Sequence, residues 1–163
     1  MDAPARQTSS LLLDTNVLLL LGVGLTRRSL VGKFKGTAEY QPRDFDRLRA
    51  IANGFERLVT IPHVLAEFSN LFFRQLKHGL HEADALDAIR ACFEFHVAKK
   101  SYVNDPDVRR FGFTDAAIAW IAEQEGLIVA TVDAALTNRL ESRGLAVINL
   151  NHLRSEEFLR QRG

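Results

Sequence analysis

Four carboxylates stand where a carboxylate needs explaining. Asp14, with Asn16 beside it, interrupts the apolar run LLLDTNVLLL. Burying an unpaired carboxylate is costly or drives its pKa upward, so an acid there needs a partner, a metal or an exit to solvent. Asp133 directly follows a second apolar run, LIVATV. Glu67 lies in PHVLAEFSNLFF with Val64, Phe68 and Leu71 at i−3, i+1 and i+4, which on a helix places it on the core-facing stripe. Asp115 opens DAAIAWIAEQE, with Ile118, Ala119 and Ala122 following at i+3, i+4 and i+7, at the upper end of another buried face. Acids without accompanying His or Cys suit a hard divalent ion, Mg²⁺ or Mn²⁺, whose remaining positions go to water and substrate phosphate. Such a group repels itself, predicting raised carboxylate pKa values and stabilisation by metal.

Simpler accounts compete residue by residue. Asp14 and Asn16 suit a helix cap, Asp115 suits a first helical turn, and Asp133 suits the start of AALTNRL. Glu67 resists this explanation, because a mid-helix acid on an apolar stripe is no cap and requires a basic partner, for which Arg57 and Arg139 are the candidates.

The elements that must position these acids follow from the hydrophobic pattern. Leu11–Leu13 reads as a strand and NVLLLLGVG as a buried helix stopping near Gly22 or Gly24. Residues 25–43, rich in Gly and carrying Arg27, Arg28, Lys33 and Lys35, show no period and read as a loop or mobile insertion. RDFDRLRAIANGF is an amphipathic helix closed near Gly54, RLVTI a strand, and Pro62 starts a helix expected to reach Gly79. A helix follows over about 82–92, CFEFHVAKK is ambiguous between helix and strand, and SYVNDPDVRRFG is a short helix or an irregular connection. Thr114 is expected to cap the helix ending at Gly126. LIVATV is then a strand, AALTNRLESR a helix ended by Gly144, and LAVINL a last strand. Short apolar strands alternating with helices predict an α/β fold whose central parallel sheet is covered on both faces. Asp14 and Asp133 then fall at the carboxyl ends of strands, where open α/β sheets bind ligands.

Length and composition set limits. The 163 residues suit a single domain (1–163), with 1–9 expected as a flexible N-terminal segment. At 47% hydrophobic and 25% charged residues the balance is that of a globular protein, and a net charge of +1 neither demands nor excludes a nucleic-acid partner. Cys92 is the only cysteine, which excludes a disulfide framework and a thiolate metal cluster, and His63, His78, His81, His96 and His152 lack zinc-ligand spacing and read as ordinary surface or half-buried residues with no catalytic role. The run 11–21 is too short and too interrupted for a signal or membrane span, which gives the expectation of a cytoplasmic protein with no membrane contact.

The motifs LLLDTNVLL, PHVLAEFSN, FTDAAIAWIA and ATVDAAL, in this order over residues 10–150, resemble the PIN domain of metal-dependent ribonucleases, a family that includes the VapC-type toxins of bacterial toxin–antitoxin pairs. The resemblance implies a three-layer α/β/α PIN-like fold, an acidic pocket for Mg²⁺ or Mn²⁺, and endonucleolytic hydrolysis of RNA. It implies catalytic roles for Asp14, Glu67, Asp115 and Asp133. Of these, Asp14, Asp115 and Asp133 hold the metal, and Glu67 positions or deprotonates the attacking water. Asn16 would orient Asp14 or a water of the metal, and Thr131 matches a polar residue that often precedes the last acid. The chain departs from the pattern at Val132, between Thr131 and Asp133, and in the length of the segment after the first strand. As partners the reading gives RNA, an antitoxin protein if the chain is a toxin, and a homodimer built on the helix near Phe68, Phe72 and Phe73. Arg27, Arg28, Lys33 and Lys35, with Lys99, Lys100, Arg109 and Arg110, are candidate phosphate contacts. The alternative is a non-catalytic PIN-like module binding RNA or protein. A haloacid-dehalogenase-like phosphoryl transferase ranks last, because it needs a second Asp where Asn16 stands.

Overall fold

A computed structural model of the chain describes residues 9–76 and 82–160; His78, His81 and the expected helix end at Gly79 lie outside the described residues, as does most of the 1–9 segment. Five strands form one parallel sheet in the order β3-β2-β1-β4-β5: β1 (Ser10–Leu13), β2 (Arg57–Thr60), β3 (Phe93–Glu94), β4 (Ile128–Thr131) and β5 (Val147–Asn149). β1 is central and buried at all four positions, which is why its sequence does not alternate. From β1 the chain runs outward through β2 to β3, then returns to β4 on the other side of β1. The gap between β1 and β4 is therefore the point where the direction of winding reverses.

The helices are α1 (Thr15–Thr26), α2 (Pro42–Asn53), α3 (Pro62–Phe72), α4 (Ala83–Ala91), α5 (Val108–Glu125), α6 (Ala134–Ser142) and α7 (Leu150–Arg160). Right-handed crossovers place the outbound helices on one face and the returning ones on the other, giving three α/β/α layers. The packing agrees, with α1 against α2, α3 and α4, and α5 against α6.

Several expectations are corrected. α1 does not stop at Gly22 or Gly24 but runs through both to Thr26. The glycines are there for close packing: a Cβ on Gly22 would stand 2.9 Å from the Phe68 ring, and one on Gly24 would overlap the Phe45 ring. The segment 25–43 is no loose insertion. It holds a 3₁₀ turn at Arg28–Leu30, and Val31, Phe34, Thr37 and Tyr40 are buried against the core. α3 ends at Phe72 and passes into a 3₁₀ turn, Phe73–Gln75. The ambiguous CFEFHVAKK supplies a two-residue edge strand, and α7, which no sequence signal announced, docks by Arg154 against Asp44 (3.5 Å) and the Tyr40 ring (5.4 Å). Phe68 and Phe72 stack on each other inside the core at 1% and 0% exposure, so of the three phenylalanines expected at a dimer face only Phe73 is exposed.

Candidate active site

β1 ends at Asp14, whose backbone N–H donates to the Ala130 carbonyl of β4 (3.0 Å), fixing the two strand ends together at the reversal point. The carboxylate is 6% exposed. Its Oδ1 accepts from the Thr15 N–H (2.6 Å), so it does cap α1, and its Oδ2 accepts from the Thr131 hydroxyl (2.7 Å). The same Thr131 oxygen accepts from the Asp133 N–H (3.0 Å), and Asp133 caps α6 by accepting from the Leu136 N–H (2.9 Å). One hydroxyl thus ties the acid after β1 to the acid after β4. Capping and site formation are compatible here, because α1 and α6 both start at the same rim and present the positive ends of their dipoles to the acids.

Glu67 is exposed, which corrects its expected place on the buried stripe. That stripe is Val64, Phe68 and Phe72; Leu71 is itself 37% exposed, and Glu67 sits on the stripe's flank. It is not held by Arg57 or Arg139 as expected. The Thr15 hydroxyl donates to its Oε2 (2.9 Å) and the Thr114 hydroxyl to its Oε1 (2.5 Å). Arg57 lies instead over the Phe93 ring, and Arg139 is paired with Asp105.

Thr114 and Asp115 reach the rim through a break in α5. Gly112 has φ 83° and ψ 177°, a region closed to L-residues, so the helix restarts just before Thr114, whose hydroxyl serves Glu67. Asp115 is half-buried. Burial first, then the negative charges of Asp14, Asp133 and Glu67, push its carboxyl up to about 7, while Arg139 pulls the other way. Burial likewise raises the Asp14 pKa, opposed by the Thr131 and Thr15 hydrogen bonds and reinforced by Asp133 and Glu67. Asp14 and Asp115, from separate parts of the chain, thus both feel the charge of Asp133 and Glu67.

The donor chemistry fits a hard divalent cation: every group is an oxygen, and mutual repulsion leaves the cluster in need of positive charge. As placed, among the described residues, no three acids, histidines or cysteines form a group that could hold one ion, and Asp14 and Glu67 accept from threonine hydroxyls.

The remaining candidates fall elsewhere or serve differently. Asn16 is exposed, and Asp14 is oriented by Thr15 and Thr131. Arg27 and Arg28 follow the far end of α1, which at 1.5 Å per residue is roughly 18 Å from the rim. Arg28 is committed to Asp46 at 2.5 and 2.9 Å, while Lys33 and Lys35 are exposed on the segment beyond. Thr15 is a residue that sequence reasoning passed over, and Thr114, expected to cap its helix, instead lies inside α5 and donates to Glu67. Each adjoins an acid, in DTN and FTD, but a single hydroxyl leaves no periodic signal. No family model matches the chain, and no curated protein matches it.

Proposed function

We propose that the chain is a metal-dependent endoribonuclease of the PIN type, hydrolysing RNA phosphodiester bonds. The observation that carries this reading is the gathering of Asp14, Glu67, Asp115 and Asp133 at the carboxyl end of a parallel sheet, at its winding reversal, with Asp115 pushed up to about 7 by burial and its three acidic neighbours. Structural ion pairs also perturb carboxylates, but they lower the pKa by bringing a cation, whereas here burial raises it and the neighbouring acids add to the rise. Mg²⁺ or Mn²⁺ held by Asp14, Asp115 and Asp133 would supply the charge that offsets a phosphodiester and would lower the pKa of a water. The protein's own contribution is positional. Thr131 fixes Asp14 relative to Asp133, and Thr15 and Thr114 hold Glu67 by both oxygens at the open side, where it accepts a proton from an attacking water.

Replacing Asp14 or Asp115 with Asn should abolish Mg²⁺- or Mn²⁺-dependent cleavage of RNA while leaving the circular dichroism spectrum unchanged. Full activity in either purified variant overturns the assignment. The engagement of Asp14 and Glu67 by threonines favours one alternative, a binding module of the same architecture that performs no chemistry. It predicts RNA binding without cleavage and no response of thermal stability to Mn²⁺. With respect to membranes, among the described residues no helix is long and apolar enough to cross one.

A further inference from the structure

Beside the acidic rim a cleft of about 290 Å³ opens between the first turn of α5 and α6, lined by Arg110, Phe111, Ala135, Asn138 and Arg139 among others. Arg139 forms its floor. The side chain is 3% exposed, and its guanidinium lies 4.9 Å from the Phe111 ring centre. It pairs with Asp105 at 2.8 Å and Asp107 at 3.5 Å, yet neither contact is aligned as a hydrogen bond, and none of its three nitrogens has a hydrogen-bond partner. The short distance establishes charge pairing. Asp105 and Asp107 thus meet two of the three nitrogens by charge, and Nη1 has no partner, a buried donor that an oxyanion reaching the floor of the cleft would satisfy.

Arg110 stands exposed at the mouth, 5.2 Å from the same ring, and Asn138 adds an exposed amide. The charged residues that line the cleft are Asp107 against Arg110 and Arg139, while Arg143 behind it is paired with Asp105 and Glu123. The cleft adjoins the acids: Ala135 is two residues past Asp133, and Arg139 is the cation whose field reaches Asp115. A chain of phosphates approaching four acids is repelled and needs a cationic point next to them.

We propose that this cleft is a phosphate subsite, with Arg139 as floor and Arg110 and Asn138 at the mouth, holding the sugar-phosphate unit that neighbours the one at the acidic rim. The identification of the polyanion as RNA rests on the nuclease reading. The cleft's preference for a phosphate does not.

The test uses the full chain and a 3′-fluorescein 12-nucleotide single-stranded RNA, with anisotropy in Ca²⁺ from 50 to 200 mM KCl and cleavage kinetics in Mn²⁺. Arg110→Ala should weaken binding about tenfold and reduce the salt slope by about 0.7, the value for one phosphate contact on a single strand. It should raise KM with kcat within twofold. Asn138→Ala should weaken binding without changing the salt slope, and Arg139→Lys, which keeps the buried charge but not the fork, should weaken it at least as much as Arg110→Ala. Arg49→Ala removes an equal charge on α2 and should change nothing. If Arg110→Ala matches wild type, or if Arg49→Ala loses as much, the subsite is overturned even where wild type cleaves. If wild type binds through Arg110 and does not cleave, the subsite stands and the nuclease reading falls. If wild type neither binds nor cleaves RNA, the nuclease reading falls and with it the assignment of the subsite to RNA.

Discussion

At the scale of the residue, the acids' mutual repulsion has a pH signature. Asp115 has a folded-state pKa of about 7 against 3.8 for the free side chain, so between these values the native protein binds more protons than the unfolded chain. Its contribution to stability is therefore present below about pH 4, declines as pH rises, and is fully lost above about pH 7. Asp115→Asn in metal-free protein should raise Tm at pH 8 and leave it nearly unchanged at pH 4; thermal melts in EDTA across that range check it, and a gap that does not grow with pH refutes the repulsion. Thr131→Val tests the other side of the balance. It leaves the buried Asp14 without its hydroxyl donor and the Asp133 N–H without its acceptor, and should cost about 1–3 kcal/mol in urea denaturation at pH 7. The acids themselves were legible in the sequence because a carboxylate in an apolar run stands out. Of the threonines that aim them, Thr131 was marked only through the family resemblance and Thr15 not at all, since a hydroxyl's partner lies up to 117 residues away in the chain and depends on strand register.

At the scale of the element, the strands and most helices were legible from apolar periodicity, and the errors have physical causes. Glycine is a poor helix former, so Gly22 and Gly24 looked like a stop, but α1 is the innermost helix and its neighbours come too close to admit a side chain. In an exposed helix, Gly→Ala gains about 1 kcal/mol. Here Gly24→Ala should lose 1–3 kcal/mol or more, because the Phe45 ring lies in the way, and Gly22→Ala should lose less, because only the edge of the Phe68 ring must give. Chemical denaturation of the two variants should return that order. Gly112 differs, with open space around its α-carbon, so Ala there meets no clash and pays only in backbone conformation, of order 1–3 kcal/mol. The relief of that strain is to straighten α5, which carries Thr114 away from Glu67. Gly112→Ala is thus expected to lower kcat for RNA cleavage far more than its modest loss of stability explains.

At the scale of the whole molecule, the sheet order turns a scattered set of acids into a site. Positions 14 and 133 are distant in sequence, and they meet because β4 returns to the side of β1 that β2 leaves open. A parallel sheet was readable from the strand pattern, but its order was not, since periodicity carries no information on which strands adjoin. On the proposed reading, the same topology would make cation binding a property of the whole fold. A ligand that binds only the native state stabilises it by about 2.7 kcal/mol at a hundred times its Kd. For a domain of this size that corresponds to a rise in Tm of about 5–10 °C. Adding Mn²⁺ or Mg²⁺ to EDTA-stripped protein at pH 7.5 should produce such a rise, saturable and concentration-dependent. Asp14→Asn should abolish it, because the group that joins β1 to the rim no longer offers a charge, and Asp115→Asn should abolish most of it from an already higher starting Tm. Arg49→Ala should show the wild-type rise. A flat titration in wild type removes the metal from the site and, with it, the nuclease reading, leaving a rim at the centre of the sheet whose acids no cation offsets.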